Sequence, residues 1–388
     1  MLVGWSQIVK ILMLSEPIPP NNPGGAGKFA WDIFRELSSL GIQVDLITTA
    51  PSRQSVQIIG ESRVFTLAHN LGGWNLHSLN TLNEAVLTAA TVLAETEKYD
   101  LLYDCGGFLY FDAFCRLAST HGIPSITHVL INLALYLNET RVSEHHIAQF
   151  ARLQGMQCGA SKIVITTSNF ERLACAKLYG INSESVTLCW NAIQMPKIAQ
   201  VEVLSWRSKL AEPDSILLLF GGRIGDKVKG VDRALAFVSA LCARGIKIRL
   251  ITTSLDDTEI SVPGFTHKIM PLGRLADNEM PSLYSAVDAF LAPSRYEAFG
   301  LMALEVASCG TQVIASETGG HLDLAKHLPI HLLGDDEWEN PSSIAVETVQ
   351  KCHDSLSKLK KTYLPDVFSM SRCANQLHEI FQTLVGIT

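Results

Sequence analysis

Residues 10–50 read KILMLSEPIPPNNPGGAGKFAWDIFRELSSLGIQVDLITTA. The opening run KILMLS carries the apolar stretch ILML after Lys10 and reads as a buried strand. A proline- and glycine-rich break follows, and then GKFAWDIFRELSSLG places apolar residues at helical spacing before stopping at Gly41. The run IQVDLITT reads as a strand again. A buried strand, a glycine turn, an amphipathic helix and a second buried strand form the unit from which parallel sheets covered by helices are built.

The alternation continues outward. LNEAVLTAATVLAETEKY (82–99) reads as helix, DLLYDCG (100–106) as strand, FDAFCRLASTHG (111–122) as helix, and PSITHVLI (124–131) and SKIVITTS (161–168) as strands. Past CWNAIQMP the pattern weakens through KIAQVEVLSWRSKLAEPDS, and a second series begins. It runs ILLLFGGR, VDRALAFVSALCARG, IKIRLITTS, NEMPSLYSAV, DAFLAPS, GLMALEVASCG and TQVIAS, again strand and helix in turn. The expectation is an α/β protein of two doubly wound Rossmann-like domains, residues 1–192 and 193–370, facing each other across a cleft, with ligands outside the carboxyl ends of the strands.

Composition excludes several classes. With 388 residues, 47% hydrophobic and 18% charged, the chain can bury sizeable cores. A formal net charge of -7 gives no positive field to gather DNA or RNA, so nucleic acid is not an expected partner. The nine cysteines are an odd number, scattered singly with no C-x-x-C pair, which suits reduced thiols and a cytoplasmic location. MLVGWSQIVKILMLSEP lacks the basic start and cleavage site of a signal sequence and reads better as leading into a first strand. The longest apolar candidate, HVLINLALYL, is about half the length a bilayer span needs and contains Asn132, so no transmembrane segment is expected.

Three stretches carry chemistry. PNNPGGAGKFAWD puts Gly24, Gly25 and Gly27 between the first strand and its helix, where backbone amides can approach an anion. It is not a nucleotide-hydrolysing P-loop, since Phe29 follows Gly27-Lys28 and Asn22 holds the first glycine position; G-x-G-x-x-G is absent too. FGGRIGDKVKGVDRAL brings Arg223 off a strand end and Lys229 to the approach of a helix. A forked guanidinium and a compact ammonium together suit a diphosphate, while Lys227 reads as solvated surface charge. SRYEAFGLMALEVASCG (294–310) sets Glu297 in a loop, a helix start at Phe299–Leu301, and Glu305 about one turn inside that helix. Free amides at a helix start favour phosphate, whereas ionised carboxylates only accept hydrogen bonds and so suit hydroxyls. The expected ligand is a diphosphate carrying sugars at both ends.

PSRYEAFGLMALEVASCGTQVIASETGG resembles the E-x7-E region of the family 4 glycosyltransferases, retaining enzymes of the GT-B fold. The resemblance extends over nearly the whole chain, through NPGGAGKFAWDIFRELSSLG, YDLLYDCGG, ITTSNFERLACAKLYG, VTLCWNAI and FGGRIGDKVKGV. It implies an N-terminal acceptor-side domain, a C-terminal donor domain, and a last helix, about residues 371–388, packed back on the first. It further implies that Arg223 and Lys229 bind the donor diphosphate, and that Phe299, Gly300 and Leu301 offer backbone contacts. Glu297 would hold the transferred sugar and Glu305 the ribose. Gly24 and Gly25 would approach the donor phosphate or the acceptor, and His128 would lie near the sugar. The implied reaction moves a hexosyl-type sugar from a nucleoside-diphosphate donor, a UDP-sugar first of all, to a hydroxyl of a small-molecule or saccharide acceptor. No cofactor or metal is expected, and no D-x-D occurs in the chain. The alternatives are a lipid-linked acceptor, or a nucleotide-sugar epimerase or non-catalytic binder of the same fold. Ala192, Gln312 and Asp323 depart from the family pattern and bear on the identity of the donor sugar.

Overall fold

A computed structural model of the chain describes residues 9–21, 24–69, 76–140, 142–222, 224–253, 269–273, 275–354 and 361–386. It divides into two compact units, Met1–Ile193 with Asp366–Thr388, and Gln194–Pro365. Each is a doubly wound α/β sheet.

The first unit begins with β1 (Lys10–Ser15), α1 (Gly25–Ser39) and β2 (Gln43–Ala50), followed by the strands β3 (Ser55–Ile59) and β4 (Ser62–Ala68). It continues with α2 (Leu76–Thr96), β5 (Leu101–Gly106), α3 (Phe111–His121), β6 (Ser125–Val129), α4 (Leu133–Asn138) and α5 (Glu144–Ala160). Then come β7 (Ile163–Thr166), α6 (Asn169–Tyr179) and β8 (Val186–Leu188). The strand order is β3-β4-β2-β1-β5-β6-β7-β8, parallel except where β3 pairs with β4. One face of α1, carrying Phe29, Ala30, Ile33, Phe34 and Leu37, is buried, as its helical spacing dictates. The antiparallel β3–β4 pair and the helices α4 to α6 are additions to the sequence reading. β3 is exposed at Val56, Gln57 and Ile58, so no alternation marked it.

The second unit holds α7 (Gln200–Leu210), β9 (Ile216–Phe220), α8 (Val231–Cys242), β10 (Ile248–Thr252), β11 (Ile269–Pro271), α9 (Met280–Ala286) and β12 (Ala289–Ala292). It continues with α10 (Leu301–Ser308), β13 (Gln312–Ser316), α11 (His321–Leu324), β14 (Ile330–Leu333) and α12 (Ser343–Asp354). Its sheet runs β11-β10-β9-β12-β13-β14, with every pairing parallel. Leu218, Phe220, Phe237 and Trp338 lie in its core. The final helix, α13 (Met370–Val385), belongs to the first unit, where it buries Cys373, Leu377 and Phe381 and sets Phe381 5.2 Å from the Tyr103 ring.

Strand order fixes where a ligand can sit. In the second sheet the chain leaves β9 toward β10 and β11, then returns to β12 on the other side. The loops after β9 and β12 therefore diverge, and such switch points are where open α/β sheets bind ligands. In the first sheet the corresponding reversal lies between β1 and β5.

Candidate functional site

The loops after β9 and β12 are clamped together. Arg295 donates its backbone N–H to the Val228 carbonyl at 2.8 Å, and its guanidinium grips Asp232 of α8 through two bonds of 2.9 and 2.5 Å. A planar fork on a carboxylate fixes orientation as well as distance. The pair holds the Asp232 carboxyl below its usual pKa. Between the loops sits Lys229, at the end of a short 3-10 turn that Asp226 caps through the Val228 amide. Lys227 of the same turn is exposed. Arg223 lies outside the described residues.

Lys229 reaches Glu297. Its Nζ donates to Glu297 Oε2 at 2.9 Å, and Ser294 Oγ donates to the same oxygen at 3.1 Å. Oε1 takes no hydrogen bond among the described residues. The Glu297 side chain is 18% exposed, and burial alone would raise its pKa. Lys229, His321 and Ser294 outweigh that burial and hold the carboxyl below its ordinary value, so Glu297 is ionised at neutral pH. A fixed carboxylate with one oxygen still open is an acceptor for a hydroxyl.

The backbone of this loop is held from the other side by the turn after β13. Gly319 has φ +54°, and a Cβ there would lie 1.7 Å from the Glu297 carbonyl oxygen; the Gly320 amide donates to that oxygen at 2.9 Å. Gly300, at φ +100°, then starts α10 with no side-chain cap. The first intrahelical bond is Leu304 N–H to Gly300 O, which leaves the amides of Leu301 and its two successors unclaimed by the helix. Phe299 is buried and Leu301 half-buried beside them. One turn on, Tyr284 donates its hydroxyl to Glu305 Oε2 at 3.1 Å. Burial keeps Tyr284 protonated, its pKa well above the usual value.

Thus Lys229, Glu297, Phe299, Gly300 and Leu301 meet around the switch point, and Glu305 stands on the helix leading from it. Sequence reasoning overlooked Ser294, Tyr284, Arg295 and His321. Only the clamp had a visible signal, an arginine directly before the glutamate loop. His321, the first residue of α11, is 1% exposed and donates from Nδ1 to the Ser316 carbonyl at 3.1 Å.

The first unit contributes differently. Gly24 caps the start of α1 with no side-chain bond, and Gly25 is its first residue. His128 is the next-to-last residue of β6, at 0% exposure, with its ring edge-on to Phe29 and its Nδ1 2.8 Å from the Tyr103 hydroxyl. Its Nε2 has no partner among the described residues. Burial pushes its pKa down to about 3, so the ring is neutral.

The neighbouring strand carries the opposite titration. Cys105 pairs with His128 in register, and Asp104, one place before it, is pushed up to about 7 by burial, although Gln157 and the Gly107 amide oppose the shift. His128 contributes stability present above its ordinary 6.5 that is lost as pH falls toward 3. Asp104 does the reverse, since its folded form takes up a proton near 7 that the unfolded chain takes up near 3.8. The two should cancel over the shared window. Asp104→Asn is expected to lose about 1.4 kcal/mol of stability per pH unit on acidification below 6, relative to wild type. Urea unfolding at successive pH values measures this, and parallel profiles for the two proteins would refute the pairing.

Residues 23–195 match the family described as Glycosyltransferase Family 4, and residues 215–344 match Glycosyl transferases group 1. A D-inositol 3-phosphate glycosyltransferase of Stackebrandtia nassauensis is 26% identical over 371 residues, covering 87% of this chain and 83% of that protein. The sucrose-phosphate synthase structure of Thermosynechococcus elongatus superposes with a TM-score of 0.72 at 16% identity, covering 98% of this chain and 100% of that one. HepE of Anabaena, solved with UDP and glucose, gives 0.67 at 18% identity, covering 97% of this chain and 100% of that one. The two sheets and these neighbours establish a GT-B two-domain fold. Among the described residues no helix is long and apolar enough to cross a membrane.

Proposed function

The chain carries the two domains of a family 4-type glycosyltransferase, and from that premise we propose that it moves a hexosyl-type sugar from a nucleoside diphosphate to an acceptor hydroxyl with retained anomeric configuration. The observation that carries this reading is the Lys229–Ser294–Glu297 cluster, which fixes one carboxylate oxygen and leaves the other open beside the uncapped start of α10. Lys229, with Arg223, meets the donor diphosphate. The amides at Phe299–Leu301 take its oxygens, Glu297 Oε1 accepts from the transferred sugar, and Glu305, steadied by Tyr284, accepts from the ribose. Gly24 and Gly25 approach the phosphate or the acceptor. His128 acts through Nε2 near the sugar.

The acceptor oxygen attacks on the face from which the diphosphate departs. Charge grows on the leaving group, and the fixed donors around it are worth most at that moment. This step uses no metal and no covalent bond to Glu297. A UDP-sugar is the first donor to try, since HepE was solved with UDP and glucose. The acceptor is a small molecule or saccharide.

Thermal shift with UDP-, GDP-, ADP- and dTDP-sugars identifies the donor, because a ligand that binds only the native state raises the melting temperature. With the matching nucleoside diphosphate in hand, Glu305→Ala is expected to weaken its binding by about 1.5–3 kcal/mol, the loss of a hydrogen bond to a charged group. Glu297→Ala should leave that affinity nearly intact and suppress transfer. Equal losses of nucleotide affinity would contradict this division, and the absence of any shift would remove the donor reading itself.

A further inference from the structure

His321 shares the Glu297 site yet has no part in the chemistry above. Its imidazole is 1% exposed, and its Nδ1 lies 3.1 Å from the Ser316 carbonyl, which can only accept. Nδ1 therefore carries the proton, and in the neutral ring Nε2 is a lone-pair acceptor. Burial favours that neutral form by lowering the pKa, against the opposing pull of Glu297. Nε2 makes no hydrogen bond among the described residues.

Its direction is set by the backbone around it. A Cβ on Gly300 would stand 2.9 Å from His321 Cδ2 and 3.2 Å from Nε2, so the ring edge occupies the space that the missing side chain leaves at the head of α10. The preceding residue, Gly320, donates its amide to the Glu297 carbonyl. The lone pair of a neutral ring pairs only with a donor, and a carboxylate or phosphate supplies no proton to share. A hydroxyl does.

We propose that His321 is a specificity-determining residue of the donor site, its Nε2 accepting from one hydroxyl of the transferred sugar while Glu297 Oε1 accepts from another. This rests on the reading of Lys229 and Glu297 as the donor site. A sugar lacking the hydroxyl that faces His321, or presenting it in the other configuration, is disfavoured because Nε2 is left unpaired once the sugar covers it.

The test compares the donor found by thermal shift with its monodeoxy analogues, each lacking one sugar hydroxyl. Wild type should lose about tenfold in kcat/KM for the analogue lacking the hydroxyl that His321 takes. His321→Asn keeps a nitrogen donor for Ser316 but has no acceptor at the Nε2 position; it should treat that analogue and the full donor alike. His321→Gln restores an acceptor there and should recover part of the discrimination. In both variants the affinity for the nucleoside diphosphate should stay within about twofold of wild type, since that ligand carries no transferred sugar. Unaltered discrimination at every hydroxyl in His321→Asn, or a fall in diphosphate affinity matching the fall in donor affinity, would overturn the assignment while leaving the donor site standing. A wild-type protein that binds no nucleotide sugar removes both.

Discussion

Lys229→Ala is expected to slow transfer by about 10²–10³-fold while weakening donor binding by no more than about tenfold. The effect is electrostatic. The departing diphosphate gains charge as the glycosidic bond breaks, so an ammonium facing it stabilises the transition state more than the bound donor. The structure adds a complication, because Lys229 also supplies the counter-charge that keeps Glu297 ionised and in place. A single variant therefore mixes two effects. Comparing Lys229→Ala, Glu297→Gln and the double variant separates them. If Lys229 acted only by holding Glu297, the double variant would be no slower than Glu297→Gln; a direct role on the leaving group requires it to be clearly slower. Arg223→Ala should shift turnover in the same direction as Lys229→Ala. Lys227→Ala is the control: its side chain is exposed, two residues away on the same short turn, and its loss should matter little. Normal turnover in Lys229→Ala would remove the diphosphate assignment.

What made this architecture legible was burial. β1, β5, β9 and β12 lie inside their sheets, so their runs are mostly apolar, and the alternation with helices such as α1 and α8 declared two doubly wound sheets. The elements that escaped notice are those stabilised by other means. On its inner side α5 buries Gln154 and Gln157 with Phe150 and Cys158, and Gln154 bonds to Gly107 O, Ile131 O and the Leu133 amide. A helix whose buried face is polar and hydrogen-bonded leaves no apolar period to read. In α7 only Leu210 is buried, and an ion pair of 2.9 Å between Arg207 and Asp288 anchors the helix. The same contrast runs through the candidate site. Lys229 and Glu297 could be singled out because residue type and spacing point to a ligand, whereas the contact between His321 and Gly300 depends on how two loops from different strands meet. Sequence does not say how deeply a strand-end histidine is buried, and His128, one residue from the end of β6, is fully buried.

Gly319→Ala is expected to destabilise the second unit by about 3 kcal/mol or more. Two costs combine there. At φ +54° any side chain strains the backbone by roughly 1–2 kcal/mol. The added Cβ would also fall 1.7 Å from the Glu297 carbonyl oxygen, an overlap with main chain that no rotamer change relieves. Gly245→Ala isolates the first cost, since Gly245 has φ +82° with nothing within 4 Å of its Cβ position. It should lose only about 1–2 kcal/mol. The difference between the two variants in urea measures the contact itself. If the 319–320 turn moves away to relieve the overlap, the Gly320 amide parts from the Glu297 carbonyl and the carboxylate loses its setting against Lys229. Nucleotide-sugar turnover should then collapse even at temperatures where the variant stays folded. Equal stability losses for Gly319→Ala and Gly245→Ala, with transfer preserved, would mean that the turn after β13 is only a connection and does not hold the glutamate loop in place.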